Sequence, residues 1–438
     1  MNTYVEEFKT VEAGLPGRKA SWLAALRRGA LDQFAEHGFP TLRDEAWKYT
    51  DVRPIEKRGF TLAGADTRVT EAALLPHLLR DVPGYRLVFV NGRLAPGLSR
   101  LEQLPKGVTI ANLARVLEDE PQRVEGLLGR HADGKSHGFA ALNLAFMQDG
   151  AYVHLARGAV LDAPLQVVYV ASGATDQAAY VRNLIVAEEA SQGTVIESYV
   201  ALEDAPYLTN AVTEVVAEQG AVLEHYKLES EAAKAYHVAG LHVHQARDSR
   251  YTSHNVSGGA RLVRNDITAD LAGEGAECEL NGLYLAGGRQ HVDNQTRIDH
   301  RAAHCASREW YKGILDGHAR GVFRGRVVVH PGAQKTDAQQ ANNNLLLSDD
   351  AEADSLPQLE IYADDVKCAH GSTVGQLDET SLFYLRSRAI DLATARSLLV
   401  YAFASDILER MKVAPVRQGL EAQVARRLLD EAQTEGLV

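Results

Sequence analysis

Cysteine is nearly missing from this chain: Cys278, Cys305 and Cys368 are the three in 438 residues. Thiols so few and so scattered cannot staple a small secreted scaffold, and an odd number fits a reducing compartment, so a cytoplasmic protein is expected. Long hydrophobic runs are missing too. The longest, around Leu398 to Ala404, ends at Ser405-Asp406, far short of the roughly 18 apolar residues that mark a membrane helix. The opening Met1-Asn-Thr-Tyr-Val-Glu-Glu lacks the basic and then apolar stretches of an export signal. Nor is there an excess of basic charge. With 46 Lys and Arg against 58 Asp and Glu, the net charge of −12 argues against a broad nucleic-acid or anionic-membrane surface, and neither partner is expected.

What is present is an ordinary globular balance, 45% hydrophobic and 24% charged, with 36 glycines. That leans toward a turn-rich β protein. The length suits two or three domains or one elongated repeat array. At the N-terminal end Trp22, Leu23, Leu26, Ala30, Leu31 and Phe34 recur at helical spacing until Gly38 and Pro40. In "LVFVNGRL" Asn91-Gly92 suits a type I′ hairpin turn, and a Leu-rich stretch from Ile110 to about Leu128 reads as helix. A boundary is placed near Gly129 to Gly138, giving an N-terminal helical or mixed domain over 1–138.

From about Gly150 to residue 378 short Val, Ile, Leu and Tyr runs are cut by Gly, Asn and Asp, the texture of many short strands. Asn183, Gly193, Glu197 and Tyr199 match Asn210, Gly220, Glu224 and Tyr226 at 27 positions, and the Asn, Gly and Glu spacing returns at Asn265, Gly275 and Glu279. A unit of that size cannot bury its own apolar face, so coils must stack, which predicts a β-helix over 139–378. Asn342-Asn343-Asn344 is expected to be a turn feeding the buried Leu345-Leu346-Leu347. Over 379–438 Asp391 caps a helix whose apolar stripe is Leu392, Ala395, Leu398, Leu399, Ala402, Phe403, Ile407 and Met411, and Pro415 opens another with Leu420, Val424, Leu428 and Leu429.

Several motifs invite chemistry. Gly129 to Ser136 satisfies G-x-x-x-x-G-K-S, and Gly134 to Gly138 satisfies G-x-S-x-G. Either needs a strand before it, whereas "EPQRVEGLLG" precedes it, so an exposed connector is the better reading. His242 and His244 share one strand face; His300, His304 and Cys305 form a trio in which, on a strand, the histidines face one side and Cys305 the other. Cys278 and Cys305, 27 apart, could stack between coils, and buried structural thiols are the better reading for both. Cys368 and His370 are two apart on a predicted strand, so both side chains reach the same side with Cα atoms about 6.5 to 7 Å apart. One metal or sulfur species could touch both, yet a zinc or an iron–sulfur cluster wants four ligands. The alternative is a packed Cys beside a hydrogen-bonded His.

"YADDVKCAHGSTVGQLDETSLFYLRSRAI" (Tyr362 to Ile390), "GHARGVFRGRVVVHPGAQKTDAQQANNNLLLS" (Gly317 to Ser348) and "GFPTLRDEAWKYTDV" (Gly38 to Val52) resemble the SufB/SufD family of iron–sulfur cluster assembly subunits. The compact length, Gln376-Leu377 after Cys-x-His-Gly and the "LFYLRSR" opening of the tail resemble its SufD branch. Ala389 stands where glycine is expected. The resemblance implies a mainly β protein with α, a right-handed parallel β-helix between N-terminal and C-terminal helical domains. It implies a non-catalytic scaffold that pairs with SufB through the β-helix and docks the SufC ATPase on the C-terminal helices, at Tyr384, Arg386, Arg388, Ile390, Leu398 and Phe403. It further implies that His370, as the stronger ligand, and Cys368 contribute to iron entry and to a transient iron or iron–sulfur cluster at the SufB interface, with nothing bound tightly to the isolated chain. The other readings are a β-helix carbohydrate-active enzyme and a SufB-like scaffold acting as a homodimer.

Overall fold

The computed structural model describes residues 2–64, 68–79, 81–173 and 175–435, with side chains of the last helix as far as Arg426. Its centre is a parallel β-solenoid in which each coil adds one strand to each of two ten-stranded sheets. The first sheet runs from Val108–Asn112 to Glu352–Ile361 and the second from Tyr85–Val90, with Arg93–Leu94, to Lys367–Gly375. Both sheets therefore begin before Gly150. The first three residues of the stretch expected to be helical, Ile110–Asn112, are strand, paired antiparallel with Ala151–Val153; only Leu113–Asp119 of that stretch forms an α-helix, closing on a 3-10 turn. The Asn91-Gly92 hairpin forms as its turn chemistry predicts, both residues at positive φ.

The coils turn one corner through a left-handed residue: Gly158, Ala190, Gly220, Asp248, Gly275, His304 and Lys335, with φ from 55° to 73°. There the N–H of Gly220 donates to Arg247 O, that of Asp248 to Glu274 O and that of Gly275 to Ala303 O, at 2.9, 2.9 and 3.2 Å. Gly220 and Gly275 are true equivalents two coils apart. Gly193 is not: it lies in a strand beside Leu223. Asn183 likewise stacks on Thr213, three residues past Asn210. The rigid 27-residue repeat gives way to stacking intervals between 26 (Tyr236 on Leu262) and 32 (Arg320 on Glu352), because corner loops vary in length while strands keep register.

Inside, side chains from the two sheets meet in a continuous core. Asn342, Asn343 and Asn344 are strand residues within Asp337–Leu346, not a turn. Asn342 Nδ2 donates to Tyr284 Oη at 3.1 Å and Asn344 Nδ2 to Asn342 Oδ1 at 2.8 Å, so the buried amides satisfy one another and need no turn. Outside, the first sheet is covered by the N-terminal helices Ser21–His37 and Gly138–Phe146, with Phe34, Trp47 and Phe139 in one apolar cluster with Tyr180, Leu208 and Tyr236. The second is covered by Leu392–Leu408 and Ala414–Glu435. The buried face of the former is Ala395, Val400, Ala404, Ile407 and Leu408; Leu392 and Leu398, expected in its stripe, are exposed at 46% each. Leu420 and Val424 are buried as expected, and the side chains of Leu428 and Leu429 lie outside the described residues. No described helix is long and apolar enough to cross a membrane.

Two glycine–tyrosine exchanges fix the lumen's packing. Gly282 stacks on Tyr311 and Tyr284 on Gly313 in adjacent coils, and a Cβ on Gly282 would lie 2.1 Å from the Tyr311 ring. The buried ring cannot yield, so Gly282→Ala is expected to lower stability by about 1–3 kcal/mol. Gly371→Ala, with nothing within 4 Å, should stay within about 0.5 kcal/mol of the parent. Urea unfolding of the two variants checks this; equal midpoints would contradict the packing account.

Candidate functional site

The two ends of the solenoid are treated differently. At the N-terminal end each sheet finishes in an antiparallel partner, the two-residue strand Arg93–Leu94 on one and Val108–Asn112 on the other. At the C-terminal end Glu352–Ile361 and Lys367–Gly375 are each the last strand of their sheet, with one edge unpaired among the described residues. Register shows what that end presents. Ala338, Gln340 and Asn342 face inward and are at most 2% exposed, and onto them stack Cys368, His370 and Ser372. Ser372 Oγ reaches Ser355 Oγ of the facing sheet at 2.8 Å, which closes the coil across the lumen. Positions that are buried in the five preceding coils are here half-buried (Cys368) or exposed (His370).

Cys368 and His370 thus share one face, as their spacing predicts, and it is the lumen face at an uncovered end. Burial pushes the Cys368 thiol above its usual range; the Ala338 N–H opposes this and the Asp337 carboxylate adds to it. Ser355, Ser372 and Gln340 also belong to this end. The alternation Cys-x-His-x-Ser carries Ser372 in the sequence, whereas the other two are set by registers of 17 and 30 positions that no local pattern reveals.

The remaining candidates fall elsewhere. Gly129 to Ser136 does resemble an anion cradle, and it is already filled: the N–H groups of Gly129, His131 and Ala132 donate to the Glu214 carboxylate at 2.8, 3.1 and 3.2 Å. Arg182 locks the same carboxylate at 2.7 Å, both side chains fully buried. An internal anion therefore takes the place a phosphate would need, and no strand precedes the loop. His242 and His244 share the outward face, where His244 stacks on His131 at 4.8 Å. His300, His304 and Cys305 are not brought together. His300 ends a strand with Nε2 2.9 Å from Ser307 Oγ, His304 is exposed at a corner, and Cys305 sits in the core with Sγ 3.2 Å from Gly273 O. Cys278 stacks on Ser307 rather than on Cys305, and both thiols are buried. Among the described residues no three His, Cys, Asp or Glu side chains could hold a metal ion.

On the C-terminal helices, Phe383, Tyr384, Leu392 and Leu398 stand out with exposures of 75%, 57%, 46% and 46%. Arg388 lies over the Tyr384 ring at 5.1 Å, and Arg386 is in the last turn of Glu379–Ser387. Ile390 N–H closes that turn on Leu385 O. Phe403 turns the other way, half-buried beneath Lys312, whose Nζ is 4.5 Å from the ring.

Residues 169–403 match the model of the SUF system FeS cluster assembly, SufBD core domain, and residues 1–167 that of the SufBD protein N-terminal region. The chain belongs to the SufBD family. An iron–sulfur cluster assembly SufBD family protein of Synechocystis is 33% identical over 430 residues, 95% of this chain and 94% of that one. The iron–sulfur cluster assembly protein SufD of Escherichia coli is 32% identical over 401 residues, 91% of each chain, and SufD of Bacillus subtilis 25% over 424. This SufBD chain is SufD-like, as the stretch from Tyr362 to Ile390 led us to expect. Its Ala389 has φ +64°, the left-handed conformation that glycine adopts freely, which is why glycine is the residue to expect there.

The thiolate, not the thiol, reacts with alkylating agents. With the Cys368 pKa raised, iodoacetamide should modify it at pH 7.5 more slowly than an unstructured cysteine peptide, with the rate still climbing past pH 9. Peptide mass spectrometry isolates Cys368 from the two buried thiols; a plateau already reached by pH 8 would contradict the raised pKa.

Proposed function

We propose that this chain is the SufD-type scaffold of a SufBCD complex, itself non-catalytic, pairing with SufB through the open end of its solenoid and docking SufC on the C-terminal helices. The observation that carries this reading is the uncovered last coil. Unpaired strand edges with an exposed lumen row are what a second solenoid completes by backbone pairing. Cys368 and His370 lie in that row and offer two donors. Two are too few for an iron–sulfur cluster, so SufB supplies the rest, chiefly thiolates. Iron and cluster are cargo at this joint. His370 contributes as a neutral imidazole, and Cys368 gives up its proton as iron binds.

The exposed aromatic pair Phe383 and Tyr384, with Leu392 and Leu398, form the apolar ground for SufC, whose ATP site is its own. Three free thiols suit a reducing cytoplasm. In the absence of SufB the same two edges fit a second copy of this chain.

The test is the His370→Ala variant in a complex reconstituted with SufB and SufC. Cluster formation, followed by visible absorbance, should fall at least several-fold while the complex still assembles on a sizing column. Undiminished cluster formation would remove the ligand role.

A further inference from the structure

Behind His370 the second sheet stacks Gln340 and then Glu309, one residue per coil. They are 2% and 1% exposed. Gln340 Nε2 donates to Glu309 Oε2 at 2.5 Å. On the facing wall Gly325 leaves room for the amide, since a Cβ there would lie 2.1 Å from Nε2. The side chain is thus clamped by its nitrogen. Burial lifts the Glu309 carboxyl to about 7, and either protonation state keeps an oxygen able to accept from Nε2.

The other end of that amide is unused. Gln340 Oε1 is buried and has no hydrogen-bond partner among the described residues. Leaving a buried carbonyl oxygen without a donor is unfavourable, and with Nε2 committed to the inner coil Oε1 is left for the outer one. The next rung outward is His370.

We propose that Gln340 is the positioning residue of His370: its Oε1 accepts from one imidazole N–H, fixes the neutral tautomer and turns the other nitrogen's lone pair toward the partner face. Glu309 anchors the amide from the inner coil. The assignment rests on reading His370 as an iron ligand, and it makes the two-residue site the outer end of a buried polar column. Partners of this kind behind a metal-binding histidine set its ring orientation.

The experiment labels histidine with nitrogen isotope in the isolated full chain and records long-range proton–nitrogen correlations, the His370 signal being identified by its loss in His370→Ala. The parent should show one neutral tautomer, Gln340→Met a mixture, and Gln340→Glu, which keeps an acceptor of the same length, the parent's tautomer. In the complex with SufB and SufC, Gln340→Met should lower cluster formation about tenfold. An unchanged tautomer in Gln340→Met overturns the proposal, and so does the same mixture in both variants. Should Gln340→Met not fold, Gly325→Ala asks the same question by displacing the amide, and a parent-like tautomer there overturns it equally. A tautomer change accompanied by full activity of His370→Ala sinks the ligand reading instead and leaves the orientation standing.

Discussion

The backbone ladder between coils is the constraint on which everything else here depends. Each strand from Gln177 up to the last coil both donates hydrogen bonds to and accepts them from the coil before it and the coil after it, and a ladder of this kind satisfies every rung except the last. The N-terminal end meets that difficulty inside the chain, with the short hairpin strand Arg93–Leu94 and the antiparallel Val108–Asn112. The C-terminal end does not. An exposed strand edge is a liability that natural proteins ordinarily blunt, so an end left open on both sheets, with a Cys and a His in its lumen row, is the place to seek the function.

The same ladder organises the interior chemistry. Because register carries one residue of each coil onto one of the next, polar side chains line up in columns: Glu309, Gln340 and His370 in one, Tyr311, Asn342 and Ser372 beside it. A solenoid lumen excludes water, so each polar group must find its partner on a neighbouring rung or across the lumen. Tyr284, Asn342 and Asn344 do so. Groups at the last coil find only part of what they need. In the proposed reading, the incompleteness of Cys368 and His370 as a ligand set and the incompleteness of the terminal strands as sheet members are one fact seen at two scales.

How much of this was legible in the sequence follows from the range of each interaction. The helix Ser21–His37 and the Asn91-Gly92 hairpin were plain, because helical spacing and turn chemistry are local. The solenoid was legible as an architecture, since Gly220 and Gly275 do mark equivalent corners. Its register was not: four of the seven corners are turned by Ala190, Asp248, His304 and Lys335, which leave no glycine to count. Asn342 to Asn344 looked like a turn because asparagine tolerates one, and only the Tyr284 hydroxyl, 58 positions earlier, shows why they lie in a strand. The same-face geometry of Cys368 and His370 could be read at a spacing of two. That the face is the lumen, and that the lumen stops there, required the fold.

The central claim, that the uncovered last coil is the partner face, is tested most directly by hydrogen–deuterium exchange of the full chain alone and mixed with SufB, the proposed partner. The account predicts slowed exchange at the amides of Glu352–Ile361 and Lys367–Gly375, with the inner coils unchanged. Slowing confined to the helices over the outer sheet faces, with both terminal strands exchanging as before, would contradict it.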